Sequence, residues 1–185
     1  MAKQAPIIEA RPNPVELPIH CGEVATIMET EEGKPNAMKT LEAVTGGKDT
    51  AANNTVLLSG NELVASVAFF LAVQDYGNAC LVLSYLEKRN SGPLPLFLWG
   101  EYHMQHGNTV EARQYFEQAA GKEKAFWPAF YRLVSLAAEE TQEISEYKIR
   151  KARESIELGR NLRYECFLGG FSPDYFQRIL ERKLV

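Results

Sequence analysis

Several usual carriers of chemistry are scarce in this chain. It has three cysteines and three histidines in 185 residues. Cys21, Cys80 and Cys166 are odd in number, widely spaced and never arranged as CxxC. They therefore make neither a disulfide framework nor a zinc site. Cys80 and Cys166 lie in apolar contexts and are expected to behave as small buried hydrophobes. His103 and His106 form "HMQH", an i, i+3 pair without the HExxH spacing or further ligands. No metal is expected there, and His103 is expected to be a packed side chain. His20 and Cys21 are adjacent, so their side chains diverge, and the flanking prolines imply a loop rather than a nucleophile and its base. In "TGGKDT" the first glycine is misplaced and the lysine is followed by aspartate, so it is not a phosphate loop. With no candidate catalytic, cofactor-binding or metal residue, a non-enzyme with no cofactor is expected.

Positive charge is also short. Twenty Lys and Arg against twenty-four Asp and Glu give a formal charge of −4, which argues against a nucleic-acid partner. No apolar run approaches about eighteen residues, so no membrane insertion is expected. "MAKQAPIIEARPNP" has no continuous apolar core of a secretory signal, and a cytoplasmic chain is expected. Strand patterns are nearly missing, "TVLLS" being the one β-like run.

Helix signals are what the chain does hold. Residues 1–57 are rich in proline and glycine and form a partly ordered arm. It is mostly extended or loosely ordered, with short helices allowed at "CGEVATIMETEE" and "NAMKTLEAV". Its "PVELPIH" segment is long enough to occupy a groove of its own or another molecule, which would bring self-association. From about residue 58 to 185 the pattern is α-helical. Ser59 with Glu62, and Asn108 with Glu111, have capping-box spacing. Ser172, Pro173 and Asp174 suit an N-cap, a first helical position and a dipole-complementing first turn. They predict a terminal helix over 172–184.

The helices recur at a fixed interval. Ala79 and Ala112 are 33 apart, as are Leu83 and Phe116, and Leu86 and Ala119. Upstream, Leu96, Trp99, Gly100 and His103 share one helical face, and a small residue at Gly100 lets two helices approach closely. A constant step of this length marks stacked helix hairpins. The next unit shows Phe130, Leu133, Val134 and Ala137, then Ala152, Ile156 and Gly159. Ala112 to Ala152 is 40, which implies about seven inserted residues relative to the 33-residue step.

On these residues the segment 93–126 resembles a tetratricopeptide repeat, with Gly107 at the turn. It departs from the family in having His103 where a tyrosine is usual and Lys124 near the place of the proline. The resemblance covers roughly residues 59–160, with repeats at about 60–92, 93–126 and 127–162. It implies an all-α, short right-handed superhelix of stacked hairpins closed by the terminal helix. An unrelated helical bundle is the alternative. The family's function implies a non-catalytic scaffold holding a protein or peptide in a concave groove. Transfer position by position puts Phe97, Glu101, Met104 and Gln105, then Tyr131, Ser135 and Ala138, toward that groove. Asn61 and Leu71 would do the same in the first unit. The segment from "FWPAFYRLVSLA" to the end is similar to the repeat-bearing part of chemoreceptor methyltransferases. That likeness implies a non-catalytic regulatory module in chemotaxis. Length, acidity and repeat number also resemble the chaperones of type III secretion. "YKIRKARESIELGR" is expected to be a solvated face of paired charges, or else a basic patch for an acidic partner.

Overall fold

The computed structural model describes residues 19, 23, 24, 27, 33–45, 59–140, 144–168 and 171–182. Among them every regular element is helical and none is a strand, so the described residues are all-α. The helices are α1 (Gly33–Thr45), α2 (Gly60–Ala72), α3 (Tyr76–Glu87), α4 (Pro93–Gln105), α5 (Thr109–Lys122), α6 (Trp127–Glu139), α7 (Glu146–Gly159) and α8 (Pro173–Arg182). A 3-10 turn, Tyr164–Leu168, lies between the last two. Residues 55–58 of "TVLLS" are outside the described residues, and Ser59 is the N-cap of α2.

The 33-residue step extends to helix ends and to single hydrogen bonds. Gly60 to Pro93 and Ala72 to Gln105 are each 33 residues, so α4 repeats α2 end for end. Tyr76 and Thr109, which open α3 and α5, are 33 apart as well. Gln74 and Gly107 hold the same left-handed position, φ 60° and 75°. Around them the same two bonds close each turn. Asp75 N donates to Phe70 O at 2.8 Å, and Gln74 N to Leu71 O at 3.1 Å. In the second hairpin Asn108 N donates to His103 O at 2.9 Å, and Gly107 N to Met104 O at 3.1 Å. This pairing satisfies the last carbonyls of a helix while reversing the chain.

The helix starts follow the capping chemistry with one correction. Ser59 Oγ accepts from Glu62 N at 3.2 Å while Glu62 accepts from Ser59 N at 2.9 Å, the reciprocal box. Ser172 Oγ accepts from Tyr175 N at 3.2 Å, with Pro173 first in α8 and Asp174 in its first turn. Asn108 occupies the N-cap of α5, but its side chain makes no capping bond. Its ψ is 69°, against 153° at Ser59. Asp75 has nearly the same backbone, and its carboxylate still accepts from Asn78 N at 3.2 Å.

Packing within each hairpin is complementary in size. Ala79, Leu83 and Leu86, like Ala112, Phe116 and Ala119, are fully buried. Gly100 lies against the edge of the Phe116 ring, where a Cβ would collide with Cδ1 and Cε1. One period earlier the two positions hold Val67 and Leu83, and in the third hairpin Val134 and Ile156. The hairpin with the largest side chain on its second helix has no side chain facing it, so total volume is kept.

The stack is covered at both ends. α2 is buried on almost every side, with Leu63, Val64, Val67, Phe70 and Leu71 all in the core. A helix apolar all round needs cover on two flanks. α3 provides one, and α1 packs against both helices to provide the other. "NAMKTLEAV" thus forms the short helix its sequence allows, docked on the body with Ala37 and Thr40 buried. Glu23, Val24 and Ile27 are helical too, with Val24 fully buried and Glu23 accepting a bond from Asn61 Nδ2. "PVELPIH" lies outside the described residues except for Ile19, which packs against the core. At the other end Phe176 of α8 packs on Trp127 and Tyr131 of α6, at ring distances of 6.3 and 5.2 Å.

Candidate functional site

The nine residues expected to line a groove divide sharply by exposure, Asn61 and Leu71 being buried and Ala138 exposed. Phe97 is fully buried between the Phe116 and Phe126 rings, 5.5 and 5.4 Å away. Gly100, one turn on, draws α5 close and thereby encloses it. Glu101 is also buried. Arg132 Nε and Nη2 of α6 donate to its two carboxylate oxygens at 2.5 and 2.7 Å. Burial raises the Glu101 carboxyl above its ordinary value, and the Arg132 charge and hydrogen bonds offset this only in part. Tyr131 is buried and stacks on Phe171 at 5.6 Å. Ser135 is half-buried and its Oγ donates to Tyr131 O at 2.9 Å. Met104 is half-buried against the core, and Gln105 is exposed. Most of these side chains are therefore taken up by packing or by bonds within the body, and of the nine only Gln105 and Ala138 are exposed.

An open apolar cleft of about 450 Å³ lies elsewhere, between α5, α6 and α7. Phe130, Leu133, Val134 and Ala137 form one wall on a face of α6 different from that of Tyr131 and Ser135. Ala120 and Gly121 of α5 and Ile144 and Tyr147 at the start of α7 form the others. Lys124, Lys148, Lys151, Glu117 and Glu154 stand at its edge. Lys151 Nζ and Glu154 are 2.8 Å apart. That hydrogen bond pushes the ammonium up and the carboxyl down from their ordinary values. Tyr147 is mostly exposed, with Arg150 and Lys151 over its ring at 5.6 and 5.9 Å. Ser155 also lines the cleft. Its Oγ is buried and has no hydrogen-bond partner. A buried hydroxyl left unpaired in an apolar setting is costly and uncommon.

The cleft has a physical origin in the inserted residues. α6 opens 34 residues after α4 rather than 33, and its connector to α7, 140–145, has six residues where 106–108 has three. Ala152 is the seventh residue of α7, whereas Ala112 is the fourth of α5. Together these account for the seven-residue offset. The added first turn of α7 carries Tyr147 and Lys148 past the end of the regular hairpin. α6 and α7 touch over a far shorter stretch than α4 and α5.

The polar residues weighed for chemistry lie apart from this cleft. His103 stacks on Tyr115 at 5.2 Å and beside Trp99 at 6.2 Å. His106 sits against Tyr76 and Tyr102, and its Nδ1 is 2.9 Å from Tyr102 O. These rings are in mutual contact and form a packed ladder between α3, α4 and α5. Among the described residues no three His, Cys, Asp or Glu side chains gather as metal ligands. Cys80 is half-buried and free rather than fully buried. Among the same residues no helix is long and apolar enough to cross a membrane.

No protein-family model, no curated protein and no solved structure matches the chain.

Proposed function

We propose that this protein is a non-catalytic interaction module, a tetratricopeptide-like scaffold of stacked helix hairpins that holds a peptide or protein segment. The observation that carries the reading is the cleft at the third hairpin. It is an apolar recess of binding-site size, edged by charged side chains and lined by an unpaired buried hydroxyl. The 33-residue recurrence of helix ends and turn bonds supports the repeat architecture and a short right-handed superhelix capped by α8. In this reading the docking surface is displaced from the Phe97–Ser135 face to the α5–α6–α7 cleft. The partner is a protein rather than nucleic acid, in keeping with the acidic chain. Cytoplasmic residence belongs to the same proposal, supported by sparse, widely spaced cysteines of which Cys80 is free.

A photo-reactive phenylalanine analogue at Tyr147, on the lip of the cleft, tests the reading in cells. The control position is Val110, an exposed residue of α5 that does not line the cleft. Discrete protein adducts at Tyr147 and none at Val110 are expected. Equal labelling at both positions, or none at either, overturns the reading. The narrower affiliations, a chemoreceptor-methylation module and a secretion chaperone, differ in partner. The identity of the Tyr147 adduct separates them.

A further inference from the structure

We infer that the α5–α6–α7 cleft receives an acidic amphipathic helical segment of a partner protein, which inserts a pair of bulky apolar side chains one helical turn apart. This rests on the interaction-module reading above and names the chemistry of the partner.

The shape of the recess points to side chains presented in pairs. Three helices wall it, and its volume of about 450 Å³ is larger than one side chain fills. Amphipathic helices dock in such grooves through apolar anchors three or four residues apart. The lining from Phe130, Leu133, Ala137 and Ile144 supplies the matching apolar surface.

The polar groups set the sign of the partner. Lys124, Lys148 and Lys151 edge the cleft against Glu117 and Glu154, and Lys151 is held by Glu154. Among the described residues Lys124 and Lys148 are in no ion pair. Arg150 and Arg153 of α7 extend the cationic side into an adjoining shallow recess, against Glu146. This edge is locally positive on a chain whose formal charge is −4. An acidic segment is attracted to it and a basic one repelled.

The test uses the full chain and a short fluorescein-labelled probe peptide. The probe carries one tryptophan and one leucine four residues apart among glutamates and helix-forming alanines. Its two counterparts replace the glutamates by lysine, or the tryptophan and leucine by alanine. Fluorescence anisotropy is expected to show saturable binding of the acidic probe alone, weakening as salt is added. The double variant Lys124→Glu/Lys148→Glu changes only exposed or half-exposed positions and should weaken binding about tenfold or more. Ala137→Phe, which fills the recess, should abolish it, with thermal unfolding run alongside to show that the variant is folded.

Equal binding of the acidic and lysine probes, or no loss on charge reversal, overturns the proposal. If Tyr147 cross-linking still captures a partner in that case, the docking role stands and only the acidic chemistry is removed. If Tyr147 also captures nothing, both fall. If dodecanoate occupies the cleft, loses its site in Ala137→Phe and is not displaced by the peptide, the recess belongs to a lipid-like amphiphile and the proposal falls.

Discussion

The second and third hairpins share a register and differ in closure. In α4–α5, Gly100 lets the Phe116 ring lie directly on the first helix, and the two helices pack along their length. In α6–α7 the matching positions are Val134 and Ile156, the connector is longer, and α7 begins a turn early. Its first turn then has no regular partner, and the recess appears beneath it. The same small-large-small ladder therefore makes a closed hairpin in one place and a receptive one in the other. The closed unit buries its apolar faces against each other, and the open unit leaves apolar surface uncovered.

Core truncation should break the comparison most strongly. Phe116→Ala, in the closed hairpin, is expected to cost about 4 kcal/mol in urea unfolding. Leu133→Ala, in the cleft wall, should cost about 1 kcal/mol, because its side chain already borders open space. Equal losses would mean that the cleft is closed in solution.

The next largest effect concerns the missing side chain at Gly100. Gly100→Val should destabilise by about 3 kcal/mol through overpacking against Phe116. Adding Phe116→Leu should recover most of that, because the first hairpin already uses Val67 with Leu83. A double variant no better than the single one would show that the two hairpins are not interchangeable.

The Glu101–Arg132 pair joins the two hairpins being compared. Arg132→Ala leaves a buried carboxylate alone and should cost about 2 kcal/mol, moderated by the partial exposure of Arg132. Glu101→Gln, which removes the charge and keeps the shape, should cost less. The pH dependence has a definite sign. Burial raises the Glu101 carboxyl above its ordinary 4.5, so the folded chain holds this proton more tightly than the unfolded one. Its contribution is fully present below about pH 4.5 and is lost as pH rises through the elevated folded value. Urea midpoints of the native chain and Glu101→Gln at pH 4 and 7 should therefore shift in the native chain's favour at the acid end. The opposite slope would show that Arg132 outweighs burial.

The smallest effect compares two helix starts one period apart. Asp75→Ala should cost about 1 kcal/mol, whereas Asn108→Ala, whose side chain caps nothing, should cost a few tenths at most. Thermal midpoints of the two variants decide it.

Much of the repeat was legible before any coordinates. The ladder Ala79, Leu83, Leu86 over Ala112, Phe116, Ala119 needs only helical spacing, and each of these residues is buried. Gly100, Gly107 and the Ser59–Glu62 box announce themselves through residue types with narrow physical uses. Even the irregular third unit was visible as the 40-residue step from Ala112 to Ala152. The open cleft was not legible, because the expected groove residues were carried over by position from a resemblance. Phe97 and Tyr131 hold such positions, yet the Phe116 and Phe126 rings close over one and Phe171 over the other. The signal that could have located the cleft was the insertion itself, together with Lys148 inside it and Lys151 just beyond.

The sequence alone determined the helices, their ends and the interval between them, since caps, glycines and apolar spacing act within a turn or two of chain. Only the tertiary structure decided which surfaces remained open. Whether Phe97 faces a groove or a core depends on how closely α5 approaches. Whether the third hairpin closes depends on how one extra turn of α7 fits against α5 and α6. These are properties of packing between distant segments, which local pattern does not encode.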